Sequence, residues 1–117
     1  MAVTGLFGPY SLDEETVNRI VKGLSPGTYA LGYLNQNEAF VVKYVGRSDD
    51  DLNGRLKKHV GEGYLLFKYA FYSSVKSAYE KECYLWHDFG GEKGELDNKY
   101  HPDKGDHKDW ECPVCGE

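Results

Sequence analysis

The chain has 117 residues, 40% of them hydrophobic and 28% charged, with a formal net charge of −5 and three cysteines. That is enough for one domain with a modest core, and it lacks the uniform positive charge of a general nucleic-acid binder. No run approaches the roughly eighteen apolar residues of a membrane span. The N-terminal "MAVTGLFGPY" lacks the basic and apolar regions of a signal peptide, so a cytoplasmic protein without membrane association is expected. The odd cysteine count agrees, because it argues against a disulfide framework.

In chain order, "YSLDEETVNRIVKGL" predicts a first helix. Ser11 is its expected cap and Glu14 completes a capping box, followed by Val17, Ile20, Val21 and Leu24 at helical spacing. "SPG" at 25–27 breaks it. "TYALGYL" (28–34) alternates Tyr29, Leu31 and Tyr33 as a strand does, "NQNE" (35–38) is a turn cluster, and "AFVVKYVGR" (39–47) reads as a second strand of an antiparallel hairpin. Ser48 is the expected cap of a second helix, with Asp49, Asp50 and Asp51 in its first turn and an apolar stripe of Leu52, Leu56 and Val60. "YLLFKYAFYS" (64–73) predicts a third strand. A further helix over 75–89 begins at Ser73 or Ser74 and is closed by Gly90 and Gly91.

The order α-β-β-α-β-α plus a C-terminal tail predicts an α/β (α+β) fold, with a small three-stranded, mainly antiparallel sheet flanked by helices. The expected organisation is a helical extension over 1–25, a central domain over 26–98 and a polar, acidic tail over 99–117.

Charge is uneven. Residues 41–82 carry eight basic and six acidic side chains, while residues 83–117 carry four basic and nine acidic ones. Five of the fourteen Lys and Arg residues fall within "KYVGRSDDDLNGRLKKHV" (43–60). A local basic face attracts phosphates even on an acidic protein, although a solvated surface explains the same composition.

Three features sit awkwardly in a purely structural account. In the helix at 75–89, Val75, Ala78, Tyr79, Leu85, Trp86 and Phe89 form the core stripe, and the position on that face between Tyr79 and Leu85 is Glu82. A buried carboxylate needs a partner or a metal, and a neighbouring Arg or Tyr would serve as well as an ion. Arg55 and His59, four residues apart, share one face beside the Leu52/Leu56/Val60 stripe, as either a cleft edge or a solvated pair. Tyr29 and Tyr44 each lie beside a glycine, in "GTY" and "YVG", and on neighbouring strands they could place two phenols in one pocket.

Together these residues resemble the GIY-YIG nuclease superfamily. "GTY" (27–29) is similar to the first motif, with Thr28 in a usually aliphatic position, and "YVG" (44–46) to the second. Arg55 and His59 match the Arg and His of the following helix, Glu82 the metal-binding Glu of the later helix, and Asn98 in "LDNKYHP" the Asn that closes the site. Arg47 matches a basic residue found in some members. The resemblance covers about 27–98 and implies an endonuclease that hydrolyses nucleic-acid phosphodiester bonds, with DNA as the expected substrate. It further implies Mg²⁺ or Mn²⁺ on Glu82 and Tyr29 as the base, assisted by Tyr44 or His59. Arg55 and Arg47 would bind phosphate, and Asn98 would orient phosphate or Glu82. A partner protein or a structure-specific substrate would account for specificity. The competing expectation is an inactive GIY-YIG-like module that binds nucleic acid or protein.

The tail "HPDKGDHKDWECPVC" offers His101, His107, Cys112 and Cys115, a donor set suited to structural Zn²⁺, with Cys83 as an alternative ligand. Reduced thiols on a solvated tail are the plain alternative.

Overall fold

The computed structural model describes residues 4–98, 100–105, 107 and 109–116. The chain is α+β, with a four-stranded antiparallel sheet in the order β1-β4-β2-β3. The strands are β1 (Phe7–Ser11), β2 (Gly27–Leu34), β3 (Phe40–Ser48) and β4 (Leu66–Phe71). The helices are α1 (Glu14–Ile20), α2 (Leu52–Lys58) and α3 (Val75–Asp88), followed by a short 3-10 turn at Gly91–Lys93. No helix among the described residues is long and apolar enough to cross a membrane.

The fourth strand corrects the expected three. "FGPYS" carries a glycine and a proline, which punctuate a sequence, yet a short edge strand tolerates both. The register of β1 against β4 slips between Phe7 and Tyr10, where Gly8 and Pro9 lie. Its aromatic side chains supply the pairing: Phe7 faces Tyr69 and Tyr10 faces Phe67, with ring centroids 6.5 and 5.6 Å apart. Ser11 therefore ends a strand instead of capping a helix. The α1 cap is Asp13, which accepts from the Thr16 N–H at 2.7 Å. The α2 cap is likewise Asp51 rather than Ser48. Ser48 closes β3, and its hydroxyl accepts from the Asp51 N–H at 2.8 Å, so the cap is shifted by one turn.

Side chains alternate across the sheet and build a core on each face. On one face α1 and α2 cover Leu12, Val17, Val21, Tyr29, Leu31, Leu52, Leu56 and Phe67. The first segment thus belongs to the same core as the central strands. On the other face α3 covers Ala30, Val42, Val45 and Ala70 with Leu85 and Trp86. Thr28, polar where an aliphatic residue was expected, is fully buried and donates its hydroxyl to the Ala78 carbonyl at 2.8 Å, tying β2 to α3. A bulge between β2 and β3 at Leu31/Gly32 pairs Leu31 with Tyr44 and Gly32 with Val42, leaving Lys43 as the extra residue. It puts Tyr44 on the Tyr29 face while Val42 and Val45 both stay under α3.

Packing requires the glycines of the two strand ends beside the cleft. A Cβ on Gly46 would sit 2.5 Å from the ring and hydroxyl of Tyr29, its cross-strand partner, and one on Gly27 would meet the Leu52 side chain at 2.7 Å and the Ala70 carbonyl at 2.9 Å. The Tyr29 ring and hydroxyl occupy the space that a side chain at position 46 would need. Gly46→Ala is expected to lose about 1–3 kcal/mol in urea unfolding, the usual cost of overpacking, and to displace the Tyr29 ring.

Candidate functional site

A cleft of about 410 Å³ opens where β2, β3, α2 and α3 meet. Its lining includes Tyr29, Tyr44, Arg47, Arg55 and Glu82, together with Asp49, Asp50 and Asp103. Five of the sequence-predicted residues thus converge from four elements.

Tyr29 is almost wholly buried, and its Oη lies 2.9 Å from His59 Nε2. On the other side of that ring, His59 Nδ1 is 2.6 Å from a Glu62 carboxylate oxygen. A carboxylate accepts only, so Nδ1 carries the proton toward Glu62. In the neutral ring Nε2 then accepts from the Tyr29 hydroxyl. Tyr44 stacks on Tyr29 with centroids 6.3 Å apart and planes within 15°, and it sits 4.9 Å from the His59 ring. Burial raises the Tyr29 phenol well above its ordinary value, Tyr44 adds to this, and Arg55 opposes it. Tyr44 is raised as well, first by burial and then by Glu82. Glu62 was not among the expected residues. Its i,i+3 spacing from His59 across the end of α2 was the available signal.

Arg55 is exposed at the cleft, one turn before His59, and forms no ion pair among the described residues. Arg47 is the opposite. Its Nη1 donates to Glu82 Oε1 at 3.0 Å and to the Asp103 carbonyl, its Nε donates to Asp49 Oδ1 at 2.9 Å, and its guanidinium lies 5.2 Å over the Tyr79 ring. Glu82 is 8% exposed, as the interrupted stripe of α3 required. Burial pushes its carboxyl up to about 7 while Arg47 pulls it back. Glu82 is therefore both a cleft residue and one bonded to a neighbouring arginine.

Asn98 lies apart from the cleft lining. Its side-chain amide pairs with the outer edge of β3, donating to the Val45 carbonyl at 2.7 Å and accepting from the Val45 N–H at 3.3 Å. Its own carbonyl accepts from Trp86 Nε1 at 2.9 Å.

A second group of donors lies at the end of α3. The ligand atoms of His87, His101, Cys112 and Cys115 all fall within 4.8 Å of one another, so this cluster could hold a metal ion. His101 Nε2 and Cys115 Sγ are 3.4 Å apart. His87 Nε2 is buried and has no hydrogen-bond partner among the described residues. Burial disfavours the Cys112 thiolate, but the backbone N–H groups of Cys115 and Val114, with His101 and Cys83, outweigh it and bring the thiol down to about 6. This set corrects the expected tail quartet: His87 on α3 takes the place of His107. The His107 ring stacks flat on Trp110 at 3.9 Å instead. Counting only residues beyond the helix missed His87. Cys83 stays outside the group, in a buried patch with Tyr79 and Cys112, and burial pushes its thiol up to about 12. None of the three cysteines forms a disulfide.

Two outcomes are expected. In metal-free buffer Glu82 keeps its proton up to about 7 when folded but releases it near 4.5 when unfolded. The folded chain binds more protons across that window, so its stability falls as pH rises through it and levels off above. Glu82→Gln should flatten this part of the urea-unfolding profile. Asn98→Ala should cost about 1–2 kcal/mol in the same measurement, because it strips both partners from Val45. No protein-family model matches the chain, and searches of curated proteins and of solved structures find no match.

Proposed function

We propose that the chain is a metal-dependent endonuclease of the GIY-YIG type that hydrolyses phosphodiester bonds, with DNA as its substrate. The observation that carries this reading is the convergence of Tyr29, Tyr44, Arg47, Arg55 and Glu82 on one cleft.

The chain's own groups suit the chemistry. Arg55, with no acidic partner among the described residues, is the cation available to a phosphate. A raised Tyr29 phenol does not ionise alone at neutral pH, but it need not. As Tyr29 takes a proton from the attacking water, its own proton passes to His59 Nε2, and Glu62 steadies the resulting imidazolium. The water oxygen bonds to phosphorus, one ester P–O bond breaks, and the departing oxygen takes a proton from solvent. Glu82, an oxygen donor in a cleft with room for a hydrated ion, fits Mg²⁺ or Mn²⁺. Such an ion, when bound, supplies Lewis-acid stabilisation of phosphate charge. Asn98 acts at a distance in this scheme, by fixing β3. A partner protein or the structure of the substrate would supply specificity in this scheme. Three cysteines without a disulfide suit a reducing compartment such as the cytoplasm.

For the His/Cys cluster we propose Zn²⁺. Two thiolates and two imidazoles form the tetrahedral donor set that Zn²⁺ favours and Mg²⁺ does not.

A second reading has its own support. Arg47 already occupies Glu82 Oε1, and the net charge is −5, as expected of a silent nucleic-acid-binding or protein-interaction module. A plasmid-nicking assay with Mg²⁺ or Mn²⁺ separates the two. The wild-type chain should cleave, EDTA should stop it, and Glu82→Ala and Arg55→Ala should each lower the rate by at least about 100-fold while retaining the wild-type circular dichroism spectrum. Undiminished cleavage in both variants overturns the site assignment. No turnover on duplex, branched or single-stranded DNA favours the silent module.

A further inference from the structure

The segment between His101 and Cys115 begins and ends at the His/Cys cluster, and its middle reaches the cleft. Asp103 and Gly105 line the cleft mouth. The Asp103 carbonyl accepts from Arg47 Nη1, and the Cβ position of Gly105 is 3.9 Å from Arg47 Nη2. The same Nη1 also bonds Glu82. One guanidinium thus joins the tail to the buried carboxylate.

Between its two ends, the described residues of this segment carry no helix or strand of their own. Their recorded backbone bonds from residue 101 onward are turn contacts: His107 N–H to Lys104, Trp110 N–H to His107 and Gly116 N–H to Cys112. Among the described residues the segment's packing lies at its two ends: His101 against Trp86 and His87, at 5.3 and 5.4 Å between centroids, with the buried Pro102 beside it, and Trp110 on Tyr79 at 5.5 Å with Cys112 beside Cys83. Meanwhile His87 holds a buried ring nitrogen with no hydrogen-bond partner among the described residues, in the same cluster as two sulfurs. A tetrahedral Zn²⁺ with bonds of about 2.0–2.3 Å sets its ligand atoms about 3.3–3.8 Å apart. His101 and Cys115, at 3.4 Å, already satisfy this, and the 4.8 Å limit for the whole set calls for only a small contraction.

We infer that a zinc ion on His87, His101, Cys112 and Cys115 is a clasp that builds the outer wall of the cleft, by joining the end of α3 to the segment whose Asp103 and Gly105 close around Arg47. This rests on the Zn²⁺ reading of the cluster and is independent of the nuclease reading. With the ion in place, the Asp103 carbonyl holds Arg47 against Glu82. Without it, the segment leaves the cleft mouth, and Arg47 keeps Asp49, Glu82 and the Tyr79 ring. The cores on the two faces of the sheet contain none of this segment, and Cys112 belongs to the separate patch with Tyr79 and Cys83, so the sheet stays folded.

The test uses the full chain purified without chelator, in wild-type form and as Cys115→Ser and His107→Ala. Metal analysis should find about one equivalent of zinc in the wild type and in His107→Ala, and at least about tenfold less in Cys115→Ser. Tryptic cleavage after Lys104 should be at least about tenfold faster in Cys115→Ser than in wild type, with the circular dichroism of the sheet unchanged. If Cys115→Ser does not fold, wild-type chain stripped with a zinc chelator replaces it, and added Zn²⁺ should restore protection. Less than about 0.1 equivalent of zinc in the wild type overturns the zinc reading and the clasp with it. Full zinc with equally slow cleavage after its removal overturns the clasp alone. Neither readout depends on DNA cleavage.

Discussion

A carboxylate placed on the core-facing stripe of a helix must be compensated, and the arrangement of the cleft follows from how this chain does so. Glu82 faces inward on α3, and Arg47 reaches it from the end of β3 at 3.0 Å. Burying both ions is costly, and the cost is offset only where further hydrogen bonds satisfy the guanidinium. Asp49 and the Asp103 carbonyl supply them. One ion pair thereby recruits the start of the β3–α2 connection and part of the tail to the same spot. Removing Glu82 leaves the guanidinium without its carboxylate, and removing Arg47 favours the protonated carboxyl further, so Arg47 is as much a condition of the site's shape as of its charge.

The two donor clusters divide by chemistry along one helix. Glu82 presents oxygen toward a cleft with an arginine and two phenols nearby, whereas His87, five residues later, turns nitrogen toward two sulfurs. Oxygen donors and nitrogen–sulfur donors are thus kept in separate places within a small molecule. The division stems from helix geometry, since five residues carry a side chain well past one full turn.

Much of this was legible in the sequence where a local rule and a packing need coincided. The break in the α3 stripe at Glu82, the strand-end glycines and the i,i+4 pair of Arg55 and His59 each have short-range causes, and all point to the observed cleft. What was missed depends on tertiary context. "FGPYS" becomes a strand only because Tyr69 and Phe67 offer aromatic partners across β4. Ser11 and Ser48 carry good capping hydroxyls, but each ends a strand, and the aspartates two or three residues on take the caps. Asn98 follows α3 as the resemblance expects, yet its amide serves β3. His87 and His107 cannot be ranked as ligands by spacing, because Trp110 claims the His107 ring by stacking.

The Asn98 amide and the Pro9 position have a joint consequence for solubility. An antiparallel sheet ends in two strands whose outward N–H and C=O groups invite pairing with another chain. On the β3 side, the Asp97 N–H bonds to the Lys43 carbonyl and the Asn98 side chain occupies both polar groups of Val45, so a side-chain amide substitutes for a fifth strand. On the β1 side, Pro9 has no N–H to offer, and the slip beside it disrupts the regular hydrogen-bonding rhythm. Each margin of the sheet thus carries a feature that discourages pairing with a neighbouring strand, while Phe7, Tyr33, Tyr84 and Tyr100 keep exposed rings.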